Sequence, residues 1–262
     1  MFLSNRVDIG ERGKKKYMNI GIILAGGTGT RVGAEVPKQF IKVQGKPILA
    51  YTLEIFQNNK NIDVLEIVCH KDWKEEVRKI CAEYGITKTK WICTGGSSFQ
   101  ESTMNGVFHL KGKIEKDDIV VISFGVSPMT PQEDIDDSIR VCGFHGNAIA
   151  STDIDLCTCV KDDEYSTTQS IVRETLKGFA NPWTFKFGEL CGAYEKAMDS
   201  GILDDLEPHT TSLYLALGKK LWFSQSTSAL CKITHKSDLD MFEGYLLLQQ
   251  KRLEKEGREN KK

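Results

Sequence analysis

The sequence predicts an α/β fold: a single Rossmann-like, three-layer domain with a mostly parallel sheet and a projecting arm. Three observations predict it. Near-continuous apolar runs, suited to strands covered on both faces, alternate with stretches of helical period. The first such run, Ile20 to Leu24, leads straight into a glycine-rich turn, where a backbone without Cβ atoms turns sharply and approaches a ligand closely. The chain has 262 residues, enough to bury a sizeable α/β core.

Residues 1–17 come before this fold. Arg6, Arg12 and Lys14-Lys15-Lys16 make them basic, and no apolar signal core follows. They read as a disordered leader or as sequence upstream of a start at Met18, with a basic functional arm as the alternative. The domain is expected over 18–250, with the arm at about 155–182, and 251–262 as a charged tail that frays.

The organising stretch is Leu24-Ala25-Gly26-Gly27-Thr28-Gly29-Thr30-Arg31, followed by Pro37-Lys38-Gln39-Phe40. Consecutive amides in a glycine turn form a concave anion site. Arg31 adds a guanidinium that grips two phosphate oxygens at once, and Lys38 adds a compact point charge. The P-loop pattern fails, because Gly29 is followed by Thr30-Arg31 and not by Lys-Ser or Lys-Thr; the dinucleotide pattern misses by one residue at Gly33. A triphosphate site is the reading, with a plain strand-to-helix turn as the bland alternative.

With Gly45-Lys46-Pro47-Ile48-Leu49 added, these motifs resemble the sugar-nucleotidyltransferase signature. The Pro-Lys-Gln-Phe wording is most similar to cytidylyltransferases that act on methylerythritol phosphate or ribitol phosphate, and the resemblance runs from about Met18 to Leu248. It implies that a sugar or polyol phosphate attacks the α-phosphorus of CTP and expels pyrophosphate. It also implies that Leu24, Ala25, Gly26, Gly27, Thr28, Gly29 and Thr30, with Arg31 and Lys38, hold the nucleotide.

Ile48, Leu49, Leu53 and Phe56 have the period of a first crossover helix. Val64 to Cys69 reads as the second strand, Asp72 as the N-cap of a helix through Trp73, Val77, Ile80 and Cys81, and Lys90 to Cys93 as a short third strand. Gly95 to Gly106 reads, on its residues, as a glycine turn plus a capped helix. The resemblance makes it the second nucleotide-binding segment, contacting base and ribose through Gly95, Gly96, Ser102, Asn105 and Gly106; Phe99 stands where the family has Arg.

Asp118 to Ser123 is a β-branched strand whose far end should face the ligand. Family members follow it with a His-Asp pair and then Arg-Pro, the Asp helping to hold Mg²⁺. Here the sequence is Ser123-Phe124-Gly125-Val126-Ser127-Pro128, so Phe124 replaces the Asp and Ser127 the Arg. A phenyl ring cannot ligate a hard cation.

A loop and helix follow from Val126 to Ile139, with Pro131 at the helix start, and then a strand from Asn147 to Thr152. Cys157 and Cys159 alternate on one strand face and are expected to be buried and inert, a catalytic thiol being the alternative. Cys157 stands where the family has Asp, beside a retained Thr158. In the family, the polar stretch 161–180 forms an arm that pairs with a second subunit, which implies a homodimer. Arg173 matches a family Arg that faces the acceptor phosphate, although on its residues it is equally a solvated surface cation. Pro182-Trp183-Thr184-Phe185 occupies the place of a segment whose two Gln are lost.

Ala193, Lys196, Ala197 and Ile202 suggest a helix, and Leu221 to Ser224 a strand. Thr211 and Leu230 replace a family acid and Asn, while Lys232 and Thr234 match, the Lys approaching the acceptor phosphate in the family. Ser237 is a candidate N-cap for a last helix whose Met241, Tyr245, Leu246 and Leu248 are expected to face inward.

The net charge of −1 and pI of about 6.5 give no basic field for nucleic acid. Eight scattered cysteines include no Cys-x-x-Cys pair, so several read as small buried thiols of a reduced, cytoplasmic protein. No apolar run approaches the ~18 residues of a membrane span.

Taken together, these residues predict a cytidylyltransferase using CTP, a sugar or polyol phosphate and Mg²⁺, with Arg31, Lys38, Arg173 and Lys232 supplying positive charge. The metal would sit mainly on the triphosphate, and Asp153 and Asp155 are the candidate carboxylates near it. The alternative is a catalytically silent homologue that binds a nucleotide or a partner.

Overall fold

The computed structural model of the protein describes residues 17–27, 36–226 and 232–259. In chain order the strands and helices are β1 (Asn19–Ala25), β2 (Lys42–Val43), β3 (Lys46–Pro47), α1 (Ile48–Asn58), β4 (Val64–Cys69), α2 (Lys74–Glu83), β5 (Thr89–Thr94), α3 (Phe99–His109) and β6 (Ile119–Phe124). There follow α4 (Gln132–His145), β7 (Asn147–Asp153), β8 (Thr158–Val160), β9 (Gln169–Ile171), β10 (Lys177–Lys186), α5 (Phe187–Ser200), α6 (Thr210–Ala216), β11 (Phe223–Gln225) and α7 (Lys236–Glu259).

The central sheet has seven strands in the order β11-β7-β10-β6-β1-β4-β5. Neighbours are parallel except around β10, which runs antiparallel to both β6 and β7. β1 lies near the middle and is buried at every residue, as its unbroken apolar run requires. One sheet face buries Ile20, Ile22 and Val68 against α3, α5 and α6. The other buries Ile23, Leu65 and Ile67 against α1, α2 and α4. A third cluster, Val43, Ile48, Val126, Ile233 and Phe242, seats α7 beside α1.

Asp72 does not cap α2; it lies in a 3-10 turn whose cap is His70, and Trp73 holds the N-cap place of α2. Ser237 is inside α7, and Asp238 does the capping, its Oδ2 accepting from the amides of Thr234 (2.7 Å) and His235 (2.8 Å). Met241, Tyr245 and Leu248 are exposed, while Phe242 is buried and Leu239 and Leu246 pack beside it. The charged stretch from Lys251 continues α7 as far as Glu259.

The projection itself is the small hairpin β8–β9. Cys159 in β8 and Cys157 just before it are exposed and not buried, because the hairpin contributes no residue to the three hydrophobic clusters of the core. The expected arm also ran too far. Lys177, Gly178 and Phe179 already pair with Asp153, Thr152 and Ser151 of the central sheet. The register then shifts between Phe179 and Trp183, and Pro182 sits in that irregularity, where no ladder N–H is needed.

Candidate functional site

Because β1, β4, β5 and β6 run parallel, their carboxyl ends open on one edge of the sheet, which is where open α/β sheets bind ligands. A cavity of about 370 Å³ lies there. Leu24, Ala25, Gly26 and Gly27 line it from the end of β1, Phe124 and Val126 from the end of β6, and His70 from the end of β4. Gly96, Ser97 and Ser98 form the turn after β5, and Phe99 and Ser102 come from the first turns of α3. Lys38, Gln39 and Lys232 complete the lining. A more open hollow of about 450 Å³ between α2 and β5 is lined by Arg78, Cys81 and Trp91 among others, and it has no strand-end glycine turn.

Local chemistry fixes the turn after β5. The Ser102 hydroxyl accepts from the Gly96 amide at 3.0 Å. A Cβ on Gly95 would lie 2.9 Å from that hydroxyl oxygen, so the close approach needs glycine. Ser98 caps α3, its hydroxyl accepting from the Glu101 amide at 3.0 Å. Glu101 reaches back to the Ser97 amide (2.7 Å) and hydroxyl (2.6 Å), and these bonds pull its carboxyl below the usual range. Gln39 is buried and donates to the Ala25 carbonyl at 2.8 Å, which ties the Pro37–Phe40 motif to the end of β1.

Two cations converge on the cavity. The Lys38 ammonium donates to the Ile233 carbonyl at 3.1 Å, next to Lys232 in the chain. Ile233 is fully buried, and its amide donates to the Val126 carbonyl at 2.8 Å, so the segment bearing Lys232 is pinned to the sheet. The Lys232 ammonium lies 3.9 Å from the centroid of the Phe124 ring, a cation–π contact that holds the charge at the cavity wall. Behind Phe124, the rings of Phe99, Trp183 and His209 form a continuous aromatic cluster with centroid separations of 5.2 to 6.0 Å.

The structure thus brings together Leu24, Ala25, Gly26, Gly27, Lys38, Ser102 and Lys232. Thr28, Gly29, Thr30 and Arg31 lie outside the described residues, as does Leu230. Gly95 stands behind the lining and shapes it through Ser102. Asn105 is farther along α3, outside the lining. Arg173 is also outside it: on the arm, the guanidinium donates to the Asp155 carbonyl (2.7 Å) and pairs with Glu174 (3.3 Å). Thr211 is buried in α6 and does not line the cavity. His70, Ser97, Ser98 and Val126 line it without having been assigned; His70 immediately follows β4 and Ser98 immediately precedes α3, a placement visible once the elements are known.

A hard divalent cation wants oxygen ligands, above all carboxylates. Among the described residues, no Asp or Glu lines the cavity. Asp153 is exposed and paired with Lys177 at 2.6 Å, and Asp155 is exposed as well, so neither candidate carboxylate is part of that lining. The described lining offers no carboxylate to hold Mg²⁺, and its two ammonium groups suit a polyanion.

A family model described as IspD, 2-C-methyl-D-erythritol 4-phosphate cytidylyltransferase, matches residues 20–247. The chain is 37% identical over 229 residues to a ribitol-5-phosphate cytidylyltransferase of Lacticaseibacillus paracasei, covering 87% of this chain and 98% of the relative. It is 30% identical over 232 residues to a 2-C-methyl-D-erythritol 4-phosphate cytidylyltransferase of Clostridium novyi, covering 87% and 96%. Among solved structures, a 4-diphosphocytidyl-2C-methyl-D-erythritol synthase of Anaerococcus prevotii superposes with a TM-score of 0.75 at 22% identity, over 88% of this chain and 96% of that one. At that identity the likeness shows the fold.

Proposed function

Because the chain belongs to the 2-C-methyl-D-erythritol 4-phosphate cytidylyltransferase family, we propose that it joins CTP to a sugar or polyol phosphate, giving a CDP-linked product and pyrophosphate. The observation that carries this reading is the convergence of Lys38 and Lys232 with the Gly26-Gly27 turn and the Gly96–Ser98 turn on one cavity at the strand ends. An oxygen of the acceptor phosphate attacks the α-phosphorus, the bond to the bridging oxygen breaks, and pyrophosphate leaves with that electron pair. Such transfers depend on positioning and on charge stabilisation. Backbone amides of the two turns and the two ammonium groups supply that charge here, and Arg31 adds to it. Arg173 serves the acceptor phosphate only if the arm of a second copy delivers it.

No described cavity residue is a carboxylate, so Mg²⁺ enters this reading as the counter-ion that the nucleotide carries, and no step is routed through it. The arm is the proposed homodimer contact: Leu156, Val160, Tyr165 and Val172 expose large apolar surface along it. The reading places the protein in the cytoplasm, in keeping with the seven free cysteines among the described residues. None of the helices among those residues is long and apolar enough to cross a membrane.

The test is pyrophosphate release from CTP, UTP, ATP and GTP against a panel of polyol and sugar phosphates that includes ribitol 5-phosphate and 2-C-methyl-D-erythritol 4-phosphate. Release with CTP and one acceptor is expected. CTP binding without release from any acceptor would sink the transferase reading and leave a nucleotide-binding protein.

A further inference from the structure

On the α3 side of the sheet, away from the lining of the cavity, a carboxylate is buried where none is expected. Glu66 is in β4 between Val64 and Val68, and its side chain is 0% exposed. A buried ionised carboxylate is costly unless it is paired and fully hydrogen-bonded. Oε1 lies 2.5 Å from Nδ1 of His109, the last residue of α3. The Cys93 thiol of neighbouring β5, 5% exposed, sits against the same carboxyl. Oε2 is left without a hydrogen-bond partner. Beside it stands Gly106, whose missing Cβ would lie 3.4 Å from Oε2, so the helix leaves room at that oxygen. One ligand atom from each of Glu66, Cys93 and His109 lies within 4.8 Å of the others.

We propose that Glu66, Cys93 and His109 form a three-ligand site for a borderline divalent cation, with Zn²⁺ as the ion that this mixed O/S/N set suits. Carboxylate, thiolate and imidazole are all zinc ligands, and the ion accepts three protein donors with water in the fourth place. Carboxylate and thiolate together bring two negative charges, which one such ion balances. The His109 side chain is 34% exposed, which gives both the entry path and the water position. Without a cation, burial pushes the Glu66 carboxyl up to about 8 and the Cys93 thiol up to about 12, so protons keep the cluster neutral.

Lys113 borders the cluster on its exposed side. Its ammonium lies 2.6 Å from His109 Nε2. When Nδ1 binds a cation, Nε2 must carry a proton and can no longer accept from Lys113, so the exposed lysine turns away into water. The bound ion would tie β4, β5 and α3 together. These elements deliver His70, Gly96, Ser98 and Ser102 to the cavity, which makes the site a brace for that wall and not part of the chemistry.

The test uses the full-length chain with Cys157 and Cys159, the exposed thiols among the described residues, both changed to Ser. Co²⁺ is titrated in as a spectroscopic stand-in, and Zn²⁺ is used in thermal melts. One equivalent of Co²⁺ should give an intense near-ultraviolet thiolate-to-cobalt band with tetrahedral visible bands. Both should vanish in Cys93→Ser and in His109→Gln, the second being a partly exposed position that tolerates change. Lys113→Met should tighten binding about tenfold by removing a competing positive charge. Zn²⁺ should raise the Tm of the parent and not that of His109→Gln. Absence of the charge-transfer band, its survival in Cys93→Ser, or unchanged affinity in Lys113→Met would each overturn the site. None of these readouts depends on nucleotide binding or turnover.

Discussion

At the scale of single residues, the proposed function rests on two ammonium groups that the fold carries to one cavity from distant parts of the chain. A hydrogen bond to a charged group contributes about 1.5–3 kcal/mol, so Lys38→Ala and Lys232→Ala should each weaken CTP binding by roughly ten- to a hundredfold in calorimetry. Phe124→Leu keeps the apolar volume and removes the ring face beneath Lys232, so a smaller loss of a few-fold is expected, about the size of one exposed cation–π contact. Asp238 fixes the segment that bears Lys232. Burial opposes its ionisation, but the amides of His235 and Thr234 outweigh that, and its folded pKa lies below the ordinary 3.8. A depressed carboxylate pKa stabilises the fold above the unfolded value, and that contribution is lost as pH falls through the folded one. Urea melts should therefore show wild type losing its advantage over Asp238→Asn as pH drops below about 4, with the two differing at neutral pH. A constant difference between pH 3 and pH 7 would contradict this.

At the scale of elements, the turn after β5 and the cap of α3 form one unit, because Ser98 both caps the helix and lines the cavity. Ser98→Ala should cost about 1 kcal/mol of stability in denaturant and also weaken CTP binding. A stability loss with unchanged affinity would separate the cap from the site. Much of this level was legible in the sequence: the β1 run, the glycine turn after β5, α1, and the strands with consecutive β-branched or aliphatic residues all carry local signals. β10 was not legible, since Pro182 argues against a central strand until the register shift beside it is seen. In α7 the phase was ambiguous, because Met241, Tyr245 and Leu248 make one apolar stripe and Leu239, Phe242 and Leu246 another, and only tertiary packing selects the second. Cys157 and Cys159 carry a strand pattern with nothing to pack on, so alternation alone misplaced them. In the site, the motif residues Lys38 and Lys232 could be read directly, whereas His70, Ser97 and Ser98 owe their place to where β4 and β5 happen to end.

At the scale of the whole molecule, a mostly parallel sheet gathers strand ends on one edge, and the arm stands out from it with apolar side chains in water. Leu156 and Tyr165 are 79% and 90% exposed, so replacing both with Ser should cost the monomer little and, with the arm as the proposed homodimer contact, shift light-scattering mass from dimer to monomer. The cavity's charge is positive and, among the described residues, without carboxylates. CTP should therefore bind in EDTA with an affinity within about threefold of that in Mg²⁺; binding that requires Mg²⁺ would mean an acidic ligand from outside the described lining. The most direct test of the central claim is a calorimetric titration of the full-length chain with CTP, run beside Lys38→Ala/Lys232→Ala. One nucleotide per chain is predicted for the parent and no measurable heat of binding for the double variant. A parent that takes up no CTP, or a double variant that binds it equally well, would contradict the assignment of this cavity to a nucleotide's phosphates.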